Sequence, residues 1–143
     1  MQNNVPFVSC REHLKTDMAD KALKFWTTPP NVFLVATSSS SPEKVLGCIS
    51  YRQIAANTVE MHRLSVDTHA RGLGIGRKLV QALVDTARQN GYKMLYLETS
   101  SAQFDAIKLY DRMDFNSRQE KKFGVFLLDV LFAINKIAYT FRI

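Results

Sequence analysis

The sequence has few cysteines and no long apolar run, and each shortage excludes a class of protein. Its 143 residues contain two cysteines, Cys10 and Cys48, which lack the spacing of a zinc site. We therefore expect reduced thiols and no structural metal. No apolar stretch approaches the roughly 20 residues that cross a bilayer, and the N-terminus lacks a signal-peptide pattern. The chain itself is thus predicted to be soluble and cytosolic, with a single domain over residues 1–143.

Acidic residues are also in short supply. Nineteen lysines and arginines face 13 aspartates and glutamates, which gives a formal net charge of +6. This balance favours an anionic partner. The basic residues are scattered, and no basic helix carries interleaved aromatic residues, so we expect no nucleic-acid partner. A non-catalytic scaffold that binds an anionic surface remains an alternative.

The hydrophobic periodicity predicts an α/β (α+β) protein. Short turns should make the first three strands antiparallel, and the strand–helix–strand stretch from Thr58 to Thr99 should be a parallel crossover. We therefore expect a mixed sheet of about six strands with helices on both faces. The predicted elements are a helix over Cys10–Lys24, strands over Asn31–Thr37, Lys44–Gln53 and Thr58–Val66, a helix over Ile75–Gln89, a strand over Lys93–Thr99, a helix from a capping box at Ser100–Gln103 to Met113, and strands near Asn116–Lys121 and Ile137–Ile143.

Glycine is rare, yet half of the six glycines lie in one turn. Gly72, Gly74 and Gly76 stand between a predicted strand and a predicted helix, with Arg71 before them and Arg77 after them. The first amides of a helix have no partner within the helix and bind phosphate well. The spacing fits neither the P-loop nor the dinucleotide fingerprint. It fits R-x-x-G-x-G, and an ordinary tight turn is the alternative.

Several motifs in one order resemble a known superfamily. The stretches TVEMHRLSV, RGLGIGRKLV, MLYLETS and AIKLYDRMDF lie within residues 32–115 and resemble the GNAT acetyltransferases. LSVDTHARGLGIG and the early stretch VPFVSCREHLKTDMAD are similar to the camello-like branch, which includes cysteine-S-conjugate N-acetyltransferases. The resemblance implies acetyl-CoA as cosubstrate. It also implies a primary amine as acceptor, on a small amino acid such as a cysteine S-conjugate or on a protein lysine. For a longer form it implies attachment to the endoplasmic reticulum membrane.

The same resemblance implies a site. The pyrophosphate would lie on the amides of residues 72–76, and the backbone of residues 64–66 would pair with the pantetheine arm. The residues implied to hold acetyl-CoA are Leu64, Ser65, Val66, Arg71, Gly72, Leu73, Gly74, Ile75, Gly76, Arg77 and Ser101.

The implied catalytic residues are Glu60, His62 and Tyr110. Glu60 would accept the amine proton through a water, with His62 as a second candidate, and strand alternation places both on one face with Leu64. Tyr110 would hydrogen-bond the leaving thiolate. No acyl-enzyme is required, so we expect direct transfer.

Three departures from the family pattern support a different hypothesis. Ser101 stands where the family often has asparagine, and Asp114 stands where it usually has glycine. If the second position needs a left-handed backbone, aspartate occupies it at some cost. The usual first strand and helix are also expected to be missing. The alternative function is therefore a truncated CoA-binding module with little or no activity.

Overall fold

A mixed seven-stranded sheet organises the part of the chain that the structure describes, which comprises residues 7–9, 20–115, 117–122 and 135–143 of a computed structural model. The strands are β1 (Phe7–Ser9), β2 (Val32–Thr37), β3 (Val45–Ala55), β4 (Thr58–Val66), β5 (Met94–Ser100), β6 (Ser117–Lys122) and β7 (Asn135–Arg142). Their order in the sheet is β1-β2-β3-β4-β5-β7-β6. Within these described residues, β4 and β5 are the one pair of parallel neighbours, and the other neighbours are antiparallel.

Three α-helices lie within the described residues: α1 (Asp20–Thr27), α2 (Ile75–Gln89) and α3 (Phe104–Asp111). The longest, α2, forms because its apolar residues recur every three or four positions and make one continuous face. The buried residues of that face are Ile75, Leu79, Val80, Leu83, Val84 and Ala87. They cover one side of the sheet.

Strand alternation divides the apolar residues of β2 between two cores. Leu34 and Ala36 belong to the large core that contains the α2 face. Phe33 and Val35 point the other way and pack with Trp26 of α1 in a smaller core. The prediction of helices on both faces of the sheet is therefore confirmed.

The structure changes two expectations about element boundaries. The first strand is not missing, because residues 7–9 pair with β2 in the register Phe7↔Ala36 and cover its outer edge. The predicted capping box at Ser100 does not form. Its hydroxyl accepts a hydrogen bond from the Ala102 N–H at 3.2 Å, so the chain turns first and α3 begins at Phe104.

Most other predicted elements agree within a residue or two, and α2 and β4 agree at both ends. Most of the predicted helix over Cys10–Lys24 lies outside the described residues, as do Asn116 and the stretch 123–134. Among the described residues, no helix combines the length and apolar character needed to cross a bilayer.

Candidate active site

The glycine turn joins β4 to α2, and its first two glycines, Gly72 and Gly74, have no neighbouring atom within 4 Å of the position that a Cβ would occupy. Gly72 and Gly74 have φ values of +78° and +76°, a conformation that residues with a Cβ rarely adopt. Gly74 is the N-cap of α2, and no side chain in the described part of the chain caps this end. The first helical hydrogen bond runs from the Lys78 N–H to the Gly74 carbonyl at 3.1 Å. The amides of residues 75–77 therefore remain available to an anion.

The parallel strands β4 and β5 separate beside this turn. They pair only over Thr58↔Met94, Val59↔Leu95 and Glu60↔Tyr96. Beyond Glu60 they diverge, and a cleft of about 890 Å³ opens between the end of β4, the glycine turn and α3. Glu60 is thus the last residue of β4 that pairs with β5, and neither Glu60 nor His62 is among the residues that line the cleft.

Most residues implied to hold acetyl-CoA line this cleft. They are Leu64, Ser65, Val66, Arg71, Gly72, Gly74, Ile75, Gly76 and Arg77. Leu73 lines a separate cavity of about 330 Å³ on the other side of the turn. Ser101 is not among the lining residues, although its neighbour Ala102 is. The Nε of Arg71 donates to the Val66 carbonyl at 3.4 Å, which ties the turn to the end of β4.

A β-bulge interrupts β4 halfway along. Cys48 pairs with Ser65 and Ser50 pairs with His62, so one residue of β3 lies opposite two residues of β4. Arg63, inside the bulge, has a φ of +56°. Side chains of β3 satisfy the carbonyls there: the Ser50 hydroxyl donates to His62 O at 3.2 Å and the Cys48 thiol to Arg63 O at 3.5 Å. A bulge of this kind re-aims the side chains that follow it.

The bulge corrects one prediction about the strand face. Glu60 and His62 lie on one face, as alternation predicts, with Nε2 of His62 2.9 Å from Oε2 of Glu60. Leu64 is on the opposite face and packs against the α2 core. The extra residue in β4 shifts the alternation by one position, and this moves Leu64 away from Glu60.

Glu60 lies in a compact charged group that the sequence did not reveal. Its Oε2 accepts hydrogen bonds from both Nε and Nη2 of Arg52 at 2.7 Å. Burial alone raises the pKa of the Glu60 carboxyl, but the contacts with Arg52 and His62 outweigh it and hold this pKa below its usual value. Glu60 is therefore a carboxylate at neutral pH. The Nε2 atom of His62 is buried and has no well-directed hydrogen bond beyond this close contact.

Tyr110 is placed apart from this group. Its side chain is 5% exposed and packs against the rings of Phe115 and Tyr139, with centroid distances of 5.5 and 5.4 Å. It does not line the cleft, whereas its neighbour Leu109 does. Burial raises the pKa of the Tyr110 hydroxyl well above its usual value.

The fold and the cleft define the kind of protein. A mixed sheet whose parallel strands separate beside an uncapped helix end can hold an elongated ligand with a phosphate at one end. The sequence model of the acetyltransferase (GNAT) family matches residues 4–115, and the chain belongs to this family.

Curated relatives indicate which branch of the family the chain is similar to. Human N-acetyltransferase 8B is 32% identical over 117 residues, which cover 78% of this chain and 50% of that protein. Zebrafish N-acetylaspartate synthetase is 33% identical over 110 residues, covering 76% of this chain and 37% of that protein. The chain thus spans half or less of the length of these relatives. The predicted GNAT membership with a camello-like relationship is confirmed.

Solved structures share the fold over most of the chain. A GNAT acetyltransferase from Elizabethkingia anophelis with acetyl-CoA bound covers 99% of this chain and 100% of its own, with a TM-score of 0.74 at 17% identity. The ribosomal-protein-alanine N-acetyltransferase of Brucella melitensis covers 86% of this chain and 75% of its own, with a TM-score of 0.66 at 21% identity.

Proposed function

We propose that this protein is an N-acetyltransferase that moves an acetyl group directly from acetyl-CoA to a primary amine. One observation carries the proposal: the pairing of β4 with β5 ends at Glu60, and the same strand continues through residues 64–66 into the cleft beside the glycine turn. The phosphate-binding turn and the proton acceptor are thus connected by one strand, β4.

The cleft has the chemistry that acetyl-CoA requires. The amides of residues 75–77 and the exposed arginines Arg71 and Arg77 suit a pyrophosphate. Residues 64–66 of β4 follow the last pairing with β5, so their backbone edge suits the amides of the pantetheine arm. A family member of the same fold has been solved with acetyl-CoA bound. When bound, acetyl-CoA supplies an acetyl group activated as a thioester.

Glu60 and His62 act as a pair in taking the proton from the amine. An alkylammonium has a pKa of about 10 and must lose a proton before its nitrogen can attack. The Glu60 carboxylate beside Nε2 of His62 favours the tautomer with its proton on Nε2. Nδ1 of His62 then carries the lone pair that accepts the amine proton, and a water beside Glu60 offers a second route. The amine nitrogen forms the C–N bond as the C–S bond breaks. The nitrogen then releases its second proton to solvent, and the sulfur takes one up from solvent.

Tyr110 has a limited part in this chemistry. The raised pKa of its buried hydroxyl keeps the proton on the phenol at neutral pH. We therefore assign Tyr110 a hydrogen bond to the leaving thiolate and the positioning of α3, whose Leu109 lines the cleft. We assign it no proton transfer to the sulfur.

The acceptor is a primary amine, either on a small amino acid or on a protein lysine. The names of the curated relatives include an N-acetylaspartate synthetase, which supports an amino-acid acceptor. Cysteine S-conjugates remain candidates from the same resemblance. Attachment of a longer form to the endoplasmic reticulum membrane remains a prediction.

The test is acetyl-CoA turnover with a panel of amines, for wild type and four variants. We expect Glu60→Gln and His62→Gln each to lower kcat by roughly 100-fold or more, since general base catalysis contributes on that scale. Tyr110→Phe should lose much less. Gly74→Val should abolish acetyl-CoA binding in calorimetry, because a β-branched residue is strained at φ +76° and its methyl groups cover the amides. Unchanged rates in both Glu60→Gln and His62→Gln would refute the assigned roles.

A CoA-binding module with little or no activity is the second candidate. The observation that favours it is the full ion pair between Glu60 and Arg52, which makes the carboxylate a weak base. Calorimetry distinguishes the two candidates. Tight acetyl-CoA binding with no transfer to any amine on the panel would establish the module and exclude the enzyme.

A further inference from the structure

The contacts of Glu60 converge on one of its two carboxylate oxygens. Nε and Nη2 of Arg52 each lie 2.7 Å from Oε2, and Nε2 of His62 lies 2.9 Å from the same atom. Within the described part of the chain, no hydrogen bond or ion pair to Oε1 is formed. An arginine that binds a carboxylate as a fork contacts both oxygens. Arg52 instead directs two N–H groups at the oxygen that faces His62.

The backbone keeps Arg52 at this oxygen. Arg52 and Glu60 are directly paired residues of β3 and β4. Directly paired residues carry their side chains on the same face of a sheet, within reach of each other. The Glu60 side chain is 14% exposed and that of Arg52 is 45% exposed. The ion pair is therefore anchored in the sheet and partly shielded from water, which makes it stronger than a fully exposed pair.

His62 contributes a buried nitrogen to this group. Its Nε2 is buried, and its ring lies 5.2 Å from that of Trp26. A neutral imidazole carries its proton on one of two nitrogens, and the neighbours of the ring decide which one. Oε2 of the ionised Glu60 can only accept a hydrogen bond, so it favours the proton on Nε2. If the carboxylate turned away, this N–H would be left buried without a partner, which is unfavourable.

We infer that Arg52 is a positioning residue, which holds Oε2 of Glu60 beside Nε2 of His62 and so keeps Nδ1 open to the proton of the amine. The inference rests on the proposed function and adds to it a residue that acts through Glu60. The amine gives its proton to Nδ1 and keeps the electron pair that attacks the thioester. The imidazolium that forms faces the Glu60 carboxylate, which stabilises it. The inactive-module candidate gives the same ion pair the opposite effect, because there Arg52 only weakens the base.

Kinetics distinguish these two effects by their sign. We expect Arg52→Gln to lower kcat by roughly 10- to 100-fold, since a small misplacement of a catalytic group costs on that scale. The KM for acetyl-CoA should not change, because Arg52 is not among the residues that line the cleft. Arg52→Lys should restore part of kcat. Arg88→Gln is the matched control, since it removes the exposed ion pair of Arg88 with Asp85 and should leave kcat unchanged. An equal or higher kcat in Arg52→Gln would overturn the inference.

Nuclear magnetic resonance tests the role of Arg52 without turnover. In protein that contains isotope-labelled histidine, we expect a downfield N–H proton signal from Nε2 of His62, slowed in exchange by its contact with the carboxylate. His62→Gln assigns the signal. It should persist in Arg88→Gln and disappear in Arg52→Gln. This result without acetyl transfer to any amine would refute the proposed function and keep the role of Arg52. Absence of the signal from wild type, or its survival in Arg52→Gln, would overturn the inference.

Discussion

At the scale of single residues, backbone conformation accounts for one departure from the family pattern. Asp114, where glycine is usual, has a φ of +55° just after α3. Replacing it with glycine removes a steric cost, so we expect Asp114→Gly to raise the free energy of unfolding by about 0.5–1 kcal/mol. Urea denaturation measures the change.

The control for that prediction is a second aspartate-to-glycine change. Asp105 lies in the first turn of α3, where glycine is unfavourable, so Asp105→Gly should lower the free energy of unfolding by about 1 kcal/mol. A loss of stability in Asp114→Gly would show that the aspartate side chain matters more there than the backbone conformation.

Alternation along β4 correctly predicts that Glu60 and His62 share a face. It does not predict which residue of β3 lies opposite Glu60, or the face on which Leu64 lies. Counting back from the hairpin pair Ala55↔Thr58 would place Gln53 opposite Glu60. A register shift between Gln53 and Ala55 places Arg52 there instead. The second irregularity, at Arg63, moves Leu64 to the other face. A two-residue period contains no signal for an inserted residue, so the pairing of Arg52 with Glu60 could not be predicted from the sequence.

At the scale of whole elements, long periodic segments were predictable and short ones were not. The 15 residues of α2 repeat their apolar face over four turns, which fixes both ends. The three residues of β1 are too few to show any period. The capping-box pattern at Ser100 places the start of α3 too early. Ser100 belongs to the end of β5 and forms a turn rather than a helix cap.

The close approach of β3 and β4 leads to a prediction about the cleft. A Cβ added to Gly47 of β3 would meet the carbonyl oxygen of Ser65 at 2.6 Å and Leu79 Cδ1 at 3.1 Å. Backbone cannot yield as a flexible side chain does, so β4 must shift. We expect Gly47→Ala to lower the free energy of unfolding by roughly 1–3 kcal/mol and to weaken acetyl-CoA binding, because Ser65 lies on the strand edge that lines the cleft.

Calorimetry with acetyl-CoA and urea denaturation measure these two effects. Val45→Ala is the comparison variant, because Val45 lies in the same strand but packs in the smaller core with Trp26, on the face of the sheet opposite Leu79. It should lose stability without losing affinity. Normal acetyl-CoA binding by Gly47→Ala would show that the end of β4 is not part of the binding surface.

At the scale of the whole molecule, we expect three tyrosines in different elements, Tyr51, Tyr96 and Tyr110, to respond together to alkali. Burial raises the pKa of Tyr51, against the opposing effect of the hydrogen bond that Asn90 Nδ2 donates to its hydroxyl at 2.7 Å. Burial and the hydrogen bond to Glu98 raise the pKa of Tyr96 to about 12. Tyr110 is shifted in the same direction. Three of the five tyrosines thus hold their protons more tightly when the chain is folded.

The sign of the pH dependence follows from these shifts. A group whose pKa is higher in the folded state stabilises the fold fully below its unfolded pKa, which is 10.0 for tyrosine, and loses that contribution as the pH rises toward the folded pKa. We expect stability to decline above about pH 10. Tyrosinate absorbance from Tyr51, Tyr96 and Tyr110 should then appear together with the loss of far-ultraviolet circular dichroism. In denaturant all five tyrosines should titrate in one step. Five independent titrations near the ordinary value, with the circular dichroism intact, would show that these hydroxyls are not held by the fold.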